Sequence, residues 1–387
     1  MQQTTSADEH RTDSTGSATR RRFLAAGGAL AATSIAGCAD LVGQAEESED
    51  DEGSYSVEME PAGEVRFDSV PEVWFPYTGD YADMGVALGQ ADGLEAVGIK
   101  DRFGTGYYEE LPGVSVDKGR LTQLWQDGTS REVFLDIDAD VHLIDPNFMI
   151  NRISWSQDDI DEIENSVAPF AGNTIFSGSY PWHEDYTYYS LLEAFEKVAA
   201  IFQEQERYEA FESLHETVTA DISSRLPSES GSVAVLYPRG NAGNGAPDAF
   251  LPYTIDSGTS FKQWRELGVD DALAASDVAD FHQTRGNVDY ETLLEVDPEY
   301  IAMRYQGRLT ESEFQEQYVA PLEGHDVASE LTAVQEGNVI RSGMPYQGPI
   351  IYLFQLEMTA QDLYPEEFGD EELFDRQRVA DIINGAF

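Results

Sequence analysis

Short apolar runs alternate with stretches of helical periodicity along most of the chain. Between two apolar runs, Met84, Ala87 and Leu88 recur at the spacing of one helix face. The strands predicted from these runs are residues 73–77, 94–99, 141–144 and 174–176, then 232–237, 300–304 and 339–342. Strands that alternate with helices in this way predict mostly parallel sheets with helices on both faces.

The longest helical pattern, residues 191–226, separates the two alternating regions. Its apolar stripe comprises Phe195, Val198, Ile201, Phe202, Tyr208, Phe211, Leu214 and Val218. A break is predicted near Gln203, and the part from Glu204 to Leu226 would be about 35 Å long. We therefore predict an α/β fold of two Rossmann-like lobes, residues 55–203 and 229–387, joined by a rigid linker helix over 204–228.

The first 54 residues have the pattern of an export signal and a tether. Arg20 and Arg21 precede an apolar run that ends at Gly37, which is shorter than the about 20 residues that span a bilayer. The Arg-Arg-x-Phe-Leu pattern resembles a twin-arginine signal, and residues 35–38 resemble a lipobox with Ile in place of the usual first Leu. We expect residues 1–38 to be this signal, with Cys38 lipidated, and the acidic residues 39–54 to be a disordered tether.

Acidic residues far outnumber basic ones. The chain has 73 Asp and Glu against 23 Lys and Arg, a net charge of −50. This charge argues against a nucleic-acid partner, because a phosphate backbone needs a basic face. Acids recur throughout the chain, so we predict a halophilic protein that unfolds in dilute buffer and refolds in molar salt. The single cysteine excludes an intramolecular disulfide and a cysteine-rich metal site.

Four motifs follow one another between Val65 and Pro365. Residues 79–98 are similar to "T-D-x-hydrophobic-x-x-A-L-G-x-x-D-x-L-x-G-V", and residues 138–145 to "x-P-D-hydrophobic-V-L" with Ala139 in place of Pro. Residues 289–301 are similar to "S-x-E-x-L-L-x-x-N-P-D-x-I", and residues 331–339 to "hydrophobic-x-A-V-K-x-G-x-V" with Gln at the Lys position. In this order they resemble the substrate-binding proteins of iron–siderophore and cobalamin ABC importers.

The resemblance implies a function and a set of partners. It implies a ligand cleft between the lobes, a linker helix that limits hinge motion, and a ferric siderophore as ligand, with no cofactor and no enzymatic activity. The partners would be an ABC permease and its ATPase. The protein would be a monomer on the extracellular face of the cell membrane, which it would contact only through its lipid anchor.

Candidate ligand-binding residues follow the predicted strands, where ligands collect in parallel α/β units. Aromatic residues and arginines recur there beside Gly or Pro. Aromatic faces can pack against the organic shell of a chelate, and arginine can hydrogen-bond carbonyl or catecholate oxygens in a forked geometry. The predicted set is Tyr77, Arg102, Tyr107, Tyr108, Trp182, Tyr237, Arg239, Tyr253, Arg304, Tyr305 and Tyr346.

Other ligands and one other protein class stay open at this point. Cobalamin, haem, or bare Fe³⁺ or another metal ion could replace the siderophore, although no two histidines have the i, i+4 spacing of a metal site. A secreted hydrolase is the remote alternative. It would need an activated nucleophile, and no Gly-x-Ser-x-Gly motif is present.

Overall fold

The computed structural model describes residues 53–183, 185–228, 230–240 and 245–387. The predicted signal over 1–38, with Arg20, Arg21 and Cys38, lies outside the described residues, and so does the predicted tether apart from its last two residues. Within the described ranges, no helix combines the length and the apolar character needed to cross a bilayer.

The strands of the described chain are short. They are β1 (Tyr55–Met59), β2 (Gly63–Phe67), β3 (Trp74–Pro76), β4 (Ala96–Val97), β5 (Thr122–Gln123), β6 (Val141–Leu143), β7 (Ser232–Arg239), β8 (Ala249–Tyr253), β9 (Asp270–Asp271), β10 (Tyr300–Arg304) and β11 (Val339–Gly343).

Helices alternate with these strands and follow the last one. They are α1 (Gly79–Ala87), α2 (Arg131–Ile137), α3 (Pro146–Ile153), α4 (Gln157–Ser166), α5 (Leu191–Phe202), α6 (Gln205–Arg225), α7 (Lys262–Glu266), α8 (Phe281–Thr284), α9 (Tyr290–Val296), α10 (Glu311–Phe314), α11 (Ala320–Glu323), α12 (Thr332–Gln335), α13 (Pro349–Leu363) and α14 (Arg376–Ile383). Single 3₁₀ turns include Lys100–Arg102, Thr105–Glu110 and Thr259–Phe261.

The strands of the first lobe pair in parallel. β3 pairs with β6 and β4 with β5, and single bridges join Trp74 to Leu94 and His142 to Phe170. The hairpin of β1 and β2 precedes them and packs on α5. The strand predicted over 174–176 is wrong, because this segment joins no sheet of its own lobe. Its carbonyls at Ile175 and Phe176 instead accept hydrogen bonds from the second lobe.

The second lobe has a five-stranded sheet in the order β11-β10-β7-β8, with β9 beside β7. Every pairing is parallel except β7 with β8. The strand predicted over 300–304 is confirmed as β10, and α9 precedes it, with Asp297 between them in the left-handed region at φ 45°. The predicted α/β class with two lobes and mostly parallel sheets is therefore confirmed.

The long helical pattern forms α5 and α6, with the break where it was predicted. Gln203 ends α5 in the left-handed conformation at φ 55°. Along α6, the buried side chains of Tyr208, Phe211, Val218 and Ile222 form one stripe. α6 packs on α5, α13 and α14, so it contacts elements from both sides of itself in sequence. The exact lobe boundaries at 203 and 229 stay a prediction.

Helices α1 and α13 join the two lobes in the core. The buried carboxylate of Asp83 on α1 accepts hydrogen bonds from the amides of Ile350 and Ile351, 2.8 and 3.0 Å away, in the first turn of α13. It also accepts one from the Tyr108 hydroxyl at 2.6 Å. Burial raises the pKa of Asp83 to about 7.

Candidate ligand-binding site

A cavity of about 270 Å³ lies between residues of the two lobes. Its lining from the first lobe is Arg102, Phe148, Arg152, Phe176 and Tyr180. Its lining from the second lobe is Tyr237, Leu251, Tyr253, Ser260, Phe281, His282, Arg285, Arg304, Gln306, Pro345 and Tyr346. Aromatic and guanidinium groups therefore make up most of its wall.

Strand ends and the segments after them position the first-lobe wall. Arg102 ends the 3₁₀ turn that follows β4, and its guanidinium is hydrogen-bonded to the Tyr346 hydroxyl of the second lobe. Phe148 and Arg152 lie on α3, which starts directly after β6. The α3 helix begins there because Pro146 occupies its first position and the Asp145 carboxylate caps the Asn147 amide at 2.8 Å.

The second-lobe wall is built from the sheet and from α8. Tyr237 lies on β7, Tyr253 ends β8, and Arg304 ends β10. α8 adds Phe281 and His282, and Arg285 follows it in the left-handed region at φ 58°. The carboxyl ends of parallel strands and the segments after them thus supply Arg102, Arg152 and Arg304, and the antiparallel β8 adds Tyr253.

The cavity is positively charged although the protein is strongly acidic. Four arginines line it and no aspartate or glutamate does, in a chain with a net charge of −50. None of these four arginines forms an ion pair within the described part of the chain. Elsewhere ion pairs are common and involve Arg66, Arg120, Arg131, Arg207, Arg225, Arg308, Arg341 and Arg376.

Arg304 is the deepest of the four. It is 3% exposed, and its guanidinium lies 4.5 Å from the centroid of the Tyr253 ring and 5.0 Å from that of Phe261. Its Nη2 is buried and has no hydrogen-bond partner. Burial lowers the pKa of Arg304, which Asp256 and Asp280 oppose electrostatically without forming an ion pair with it. A buried charged donor without a partner is costly, so the site is built to receive an acceptor.

His282 stays neutral inside this cationic wall. Its pKa is well below the usual value because of burial and of the charges on Arg304, Arg285 and Arg152. Its Nδ1 lies 2.9 Å from the Ser177 hydroxyl and 3.5 Å from the Asp280 carboxylate. The positive charge of the cavity therefore comes from arginine alone.

Aromatic rings hold the arginines at the mouth in place. The guanidinium carbons of Arg152 and Arg285 lie 5.8 and 6.0 Å from the centroid of the Tyr180 ring, within the range of cation–π attraction. Tyr180 in turn stacks on Trp182, with centroids 4.0 Å apart. Phe176 meets Tyr346 of the second lobe edge-to-face at 4.9 Å. Cationic groups and aromatic faces thus alternate around the opening.

Five of the residues predicted for ligand binding line the cavity. They are Arg102, Tyr237, Tyr253, Arg304 and Tyr346. Two others lie one layer behind the wall. Trp182 stacks on Tyr180, and Tyr77 lies 5.5 Å from Phe148 with its hydroxyl 3.2 Å from that of Thr129. Burial raises the pKa of Tyr77 to about 12.

The other four predicted residues lie away from the cavity. Tyr107 packs against Phe354 of α13, and Tyr108 donates to Asp83. Tyr305 is buried, with its hydroxyl 3.5 Å from the Met358 sulfur. Arg239 is exposed and donates to the Asn287 side chain at 3.3 Å. These four side chains contribute to the core or the surface of the fold rather than to the cavity wall.

Several lining residues were absent from the predicted set. The helix α3 supplies Phe148 and Arg152, and α8 with the residue after it supplies Phe281, His282 and Arg285. The segment after Phe170 supplies Phe176 and Tyr180. The sequence could have indicated only the α3 residues, because α3 starts at the carboxyl end of a parallel strand, where ligands usually bind. Nothing comparable marks α8.

The described residues contain no cluster of three or more His, Cys, Asp or Glu side chains arranged to hold a metal ion. Within the cavity wall, the only group of this kind is His282. The wall is equipped to bind an anion and to pack against rings.

Comparison with known proteins identifies the fold. A family model described as "Periplasmic binding protein" matches residues 77–345. The structure is similar to a periplasmic binding protein from Veillonella parvula, with 16% identity and a TM-score of 0.58 over 80% of this chain and 97% of that one. No protein with a curated description matches the chain significantly.

Two further solved structures have the same fold. The iron uptake ABC transporter substrate-binding protein PiuA from Streptococcus pneumoniae has 15% identity and a TM-score of 0.53, over 80% of this chain and 97% of that one. The siderophore binding protein BauB, solved with two molecules of acinetobactin and ferric iron, has 15% identity and a TM-score of 0.54 over the same shares. At such identities the likeness shows a shared fold.

Proposed function

The chain belongs to the periplasmic binding protein family, and we propose that it captures a ferric siderophore outside the cytoplasm and delivers it to the permease of an ABC importer. The family supplies binding components of transport systems rather than enzymes. The proposal concerns which ligand this chain binds and which of its residues bind it.

The cationic, carboxylate-free cavity is the observation that carries the proposal. Ferric chelates are often anionic, with an organic shell around the metal. Arg304 and Arg102 would donate to catecholate or carboxylate oxygens in the interior, while Arg152 and Arg285 would do so at the mouth. The rings of Tyr180, Tyr253 and other lining residues would pack against the shell. BauB and PiuA, whose names record a siderophore and iron uptake, support this choice of ligand.

A bare metal ion is a poorer fit to the same wall. Four guanidinium groups repel a free cation, and burial raises the pKa of the lining Tyr180 and Tyr253, which disfavours the phenolate form that would coordinate Fe³⁺. When iron is enclosed in an anionic chelate, the sign of the interaction reverses. The chelate, rather than the ion, is therefore the proposed cargo.

Export and anchoring complete the proposal. Arg20 and Arg21 would direct the folded protein through the twin-arginine route, and lipidated Cys38 would hold it on the outer face of the membrane. There it would act as a monomer and meet the permease and its ATPase. Replacing Cys38 with Ser should release the protein into the medium, whereas retention on the membrane would contradict the anchor.

A titration in molar KCl tests ligand capture. Purified protein would be mixed with ferric catecholate, ferric hydroxamate, haem and cobalamin while its intrinsic fluorescence is followed. Trp182 stacks one layer behind the cavity wall, so ligand entry should quench emission saturably. Chromatography afterwards should recover the chelate unchanged. Conversion of the chelate to product would favour an enzyme, and the absence of saturable quenching by any ferric chelate would contradict the proposal.

A further inference from the structure

Two backbone segments from different lobes meet beside the cavity. The amide of Thr259 donates to the carbonyl of Ile175 at 2.8 Å, and that of Ser260 donates to the carbonyl of Phe176 at 3.3 Å. At Gly258 a Cβ atom would lie 2.4 Å from the Phe176 oxygen, so only glycine permits this approach. The segments therefore touch through their main chains.

A single carboxylate of the second lobe strengthens this contact. Asp256 Oδ1 accepts the Gly258 amide of its own lobe at 2.7 Å. Its Oδ2 accepts three donors from the first lobe, namely the Gly178 amide at 2.7 Å and the hydroxyls of Ser179 and Ser177 at 2.8 and 3.1 Å. Hydrogen bonds to an ionised acceptor are among the stronger ones in proteins.

The second lobe fixes the position of Asp256. The Arg265 guanidinium donates to the carbonyls of Asp256 and Gly258, the latter at 2.9 Å. The neighbouring amide of Ile255 donates to Asp271 at 2.6 Å. The carboxylate is thus a fixed point, and the first-lobe segment is the partner that attaches to it.

The attached segment carries part of the cavity wall. Phe176 and Tyr180 line the cavity, and Trp182 stacks on Tyr180. Ser177 reaches Asp256 and also lies 2.9 Å from Nδ1 of His282, another lining residue. Detachment from Asp256 would free this wall to move away from the second lobe.

We propose that Asp256 is a positioning residue that latches residues 175–183 of the first lobe onto the second lobe and so slows the escape of ligand. The effect on ligand rests on the proposed function of the cavity. The attachment itself does not, because it is a property of the free protein.

Hydrogen–deuterium exchange in molar KCl tests the attachment without ligand. Asp256→Asn keeps the size of the side chain but removes its negative charge, and its NH₂ group must face either the Gly258 amide or the first-lobe donors. Asp289→Asn is the matched control, because Asp289 accepts the amide and the hydroxyl of Thr292 on α9, within the second lobe and away from Asp256. We expect exchange in peptides covering 175–183 to rise at least tenfold in Asp256→Asn and to stay unchanged in Asp289→Asn.

Two results would overturn the latch. The first is an exchange rate over 175–183 in Asp256→Asn that equals the rate in the wild type. The second is a rise in the control variant that equals the rise in Asp256→Asn. The double variant Ser177→Ala/Ser179→Ala removes two of the three donors while leaving Asp256 in place. It should give a smaller rise over the same residues, and it decides the question if Asp256→Asn fails to fold.

A chase experiment tests the effect on ligand. The probe is iron(III) tris-catecholate, displaced from the protein by excess gallium(III) tris-catecholate. Dissociation should be at least tenfold faster from Asp256→Asn than from wild type or Asp289→Asn, with similar association rates. Equal dissociation rates would refute the gating role. Failure of wild type to bind the probe would count against the proposed function, whereas the exchange result judges the latch independently.

Discussion

Arg304 and Arg341 lie on neighbouring parallel strands, β10 and β11, yet their surroundings are opposite. Arg341 donates to both oxygens of Asp362 on α13, at 3.0 and 2.5 Å. Arg304 has two aromatic rings beside it and no ion-pair partner among the described residues. The same residue type is neutralised at one site and left charged at the other.

The contrast extends to the regions around them. Outside the cavity most arginines have a carboxylate partner, as expected where acids exceed bases by 50 charges. Inside it, four arginines are gathered with no lining carboxylate. Carboxylates are thus kept out of the cavity wall even in a chain so rich in acids. This separation teaches that the cavity charge serves a ligand rather than the stability of the fold.

The largest expected effect is on binding through Arg304. Arg304→Gln should weaken the affinity for an anionic ferric chelate at least ~100-fold, or about 3 kcal/mol, because a buried charged donor is lost. The stability of the free protein should stay the same or rise, since the wild-type guanidinium is buried without a partner. Calorimetric titration and chemical denaturation in molar KCl measure the two effects. A loss of stability with unchanged chelate affinity would show that Arg304 stabilises the fold, which is the role assigned to Arg341.

The converse change at Arg341 should act on stability alone. Arg341→Gln leaves Asp362 without its charged partner in a site where both side chains are mostly buried. We expect a loss of about 2 kcal/mol in the free energy of unfolding. Chelate affinity should stay within a factor of two of wild type at a salt concentration where both proteins are folded. A tenfold loss of affinity would show that the cavity is not a separate region.

The arginines at the mouth should matter less than Arg304. Arg152 and Arg285 are exposed, so water already solvates part of their charge. Arg152→Gln and Arg285→Gln should each weaken chelate binding about tenfold, or about 1.4 kcal/mol. The losses should grow as KCl is lowered within the range where the protein stays folded, because exposed charges are screened more than buried ones. If the variants at the mouth lost as much chelate affinity as Arg304→Gln, the expected dependence of the effect on burial would be contradicted.

The smallest expected effect is on a neighbouring histidine. The positive charge of Arg304 is one cause of the low pKa of His282, so Arg304→Gln should raise that pKa. His142 is the internal control, because burial is the main cause of its low pKa of about 3 and no arginine contributes. NMR titration of ¹³C-labelled histidine should therefore show a shift at His282 alone. Shifts at both residues would mean that the variant loosens the fold.

The pH dependence of stability follows from the same shift. The folded pKa of His282 is below its unfolded value of about 6.5, so acid protonates the unfolded chain first. Its contribution to stability is present above pH 6.5 and is lost as the pH falls. In Arg304→Gln this loss should be smaller, which denaturation at several pH values can check.

The sequence pattern was a better guide to the second lobe than to the first. The strands predicted over 232–237, 300–304 and 339–342 occur as β7, β10 and β11, so the local pattern was sufficient there. Residues 174–176 form no strand, and the carbonyls of Ile175 and Phe176 instead accept hydrogen bonds from Thr259 and Ser260, 84 positions away. No local pattern can distinguish such a cross-lobe contact from a sheet strand.

Candidate binding residues were predictable where their position relative to a strand end is enough to bring them to the cavity. Arg102 and Arg304 follow or end a parallel strand, and both line the cavity. Arg239 also ends a strand, but β7 continues past the cavity and carries it to the surface. Arg152 and Arg285 depend on how α3 and α8 pack, which the sequence does not reveal. The absence of carboxylates from the wall is a tertiary property and could not be seen before the fold was known.

Calorimetry with ferric chelates of different charge tests the central claim most directly. Iron(III) tris-catecholate carries three negative charges, and iron(III) tris-hydroxamate is neutral around the same metal. In molar KCl we expect wild-type protein to bind the anionic chelate at least ~100-fold more tightly, and the preference to shrink at least tenfold in Arg304→Gln. Equal or tighter binding of the neutral chelate by wild type would contradict a cavity built for an anion.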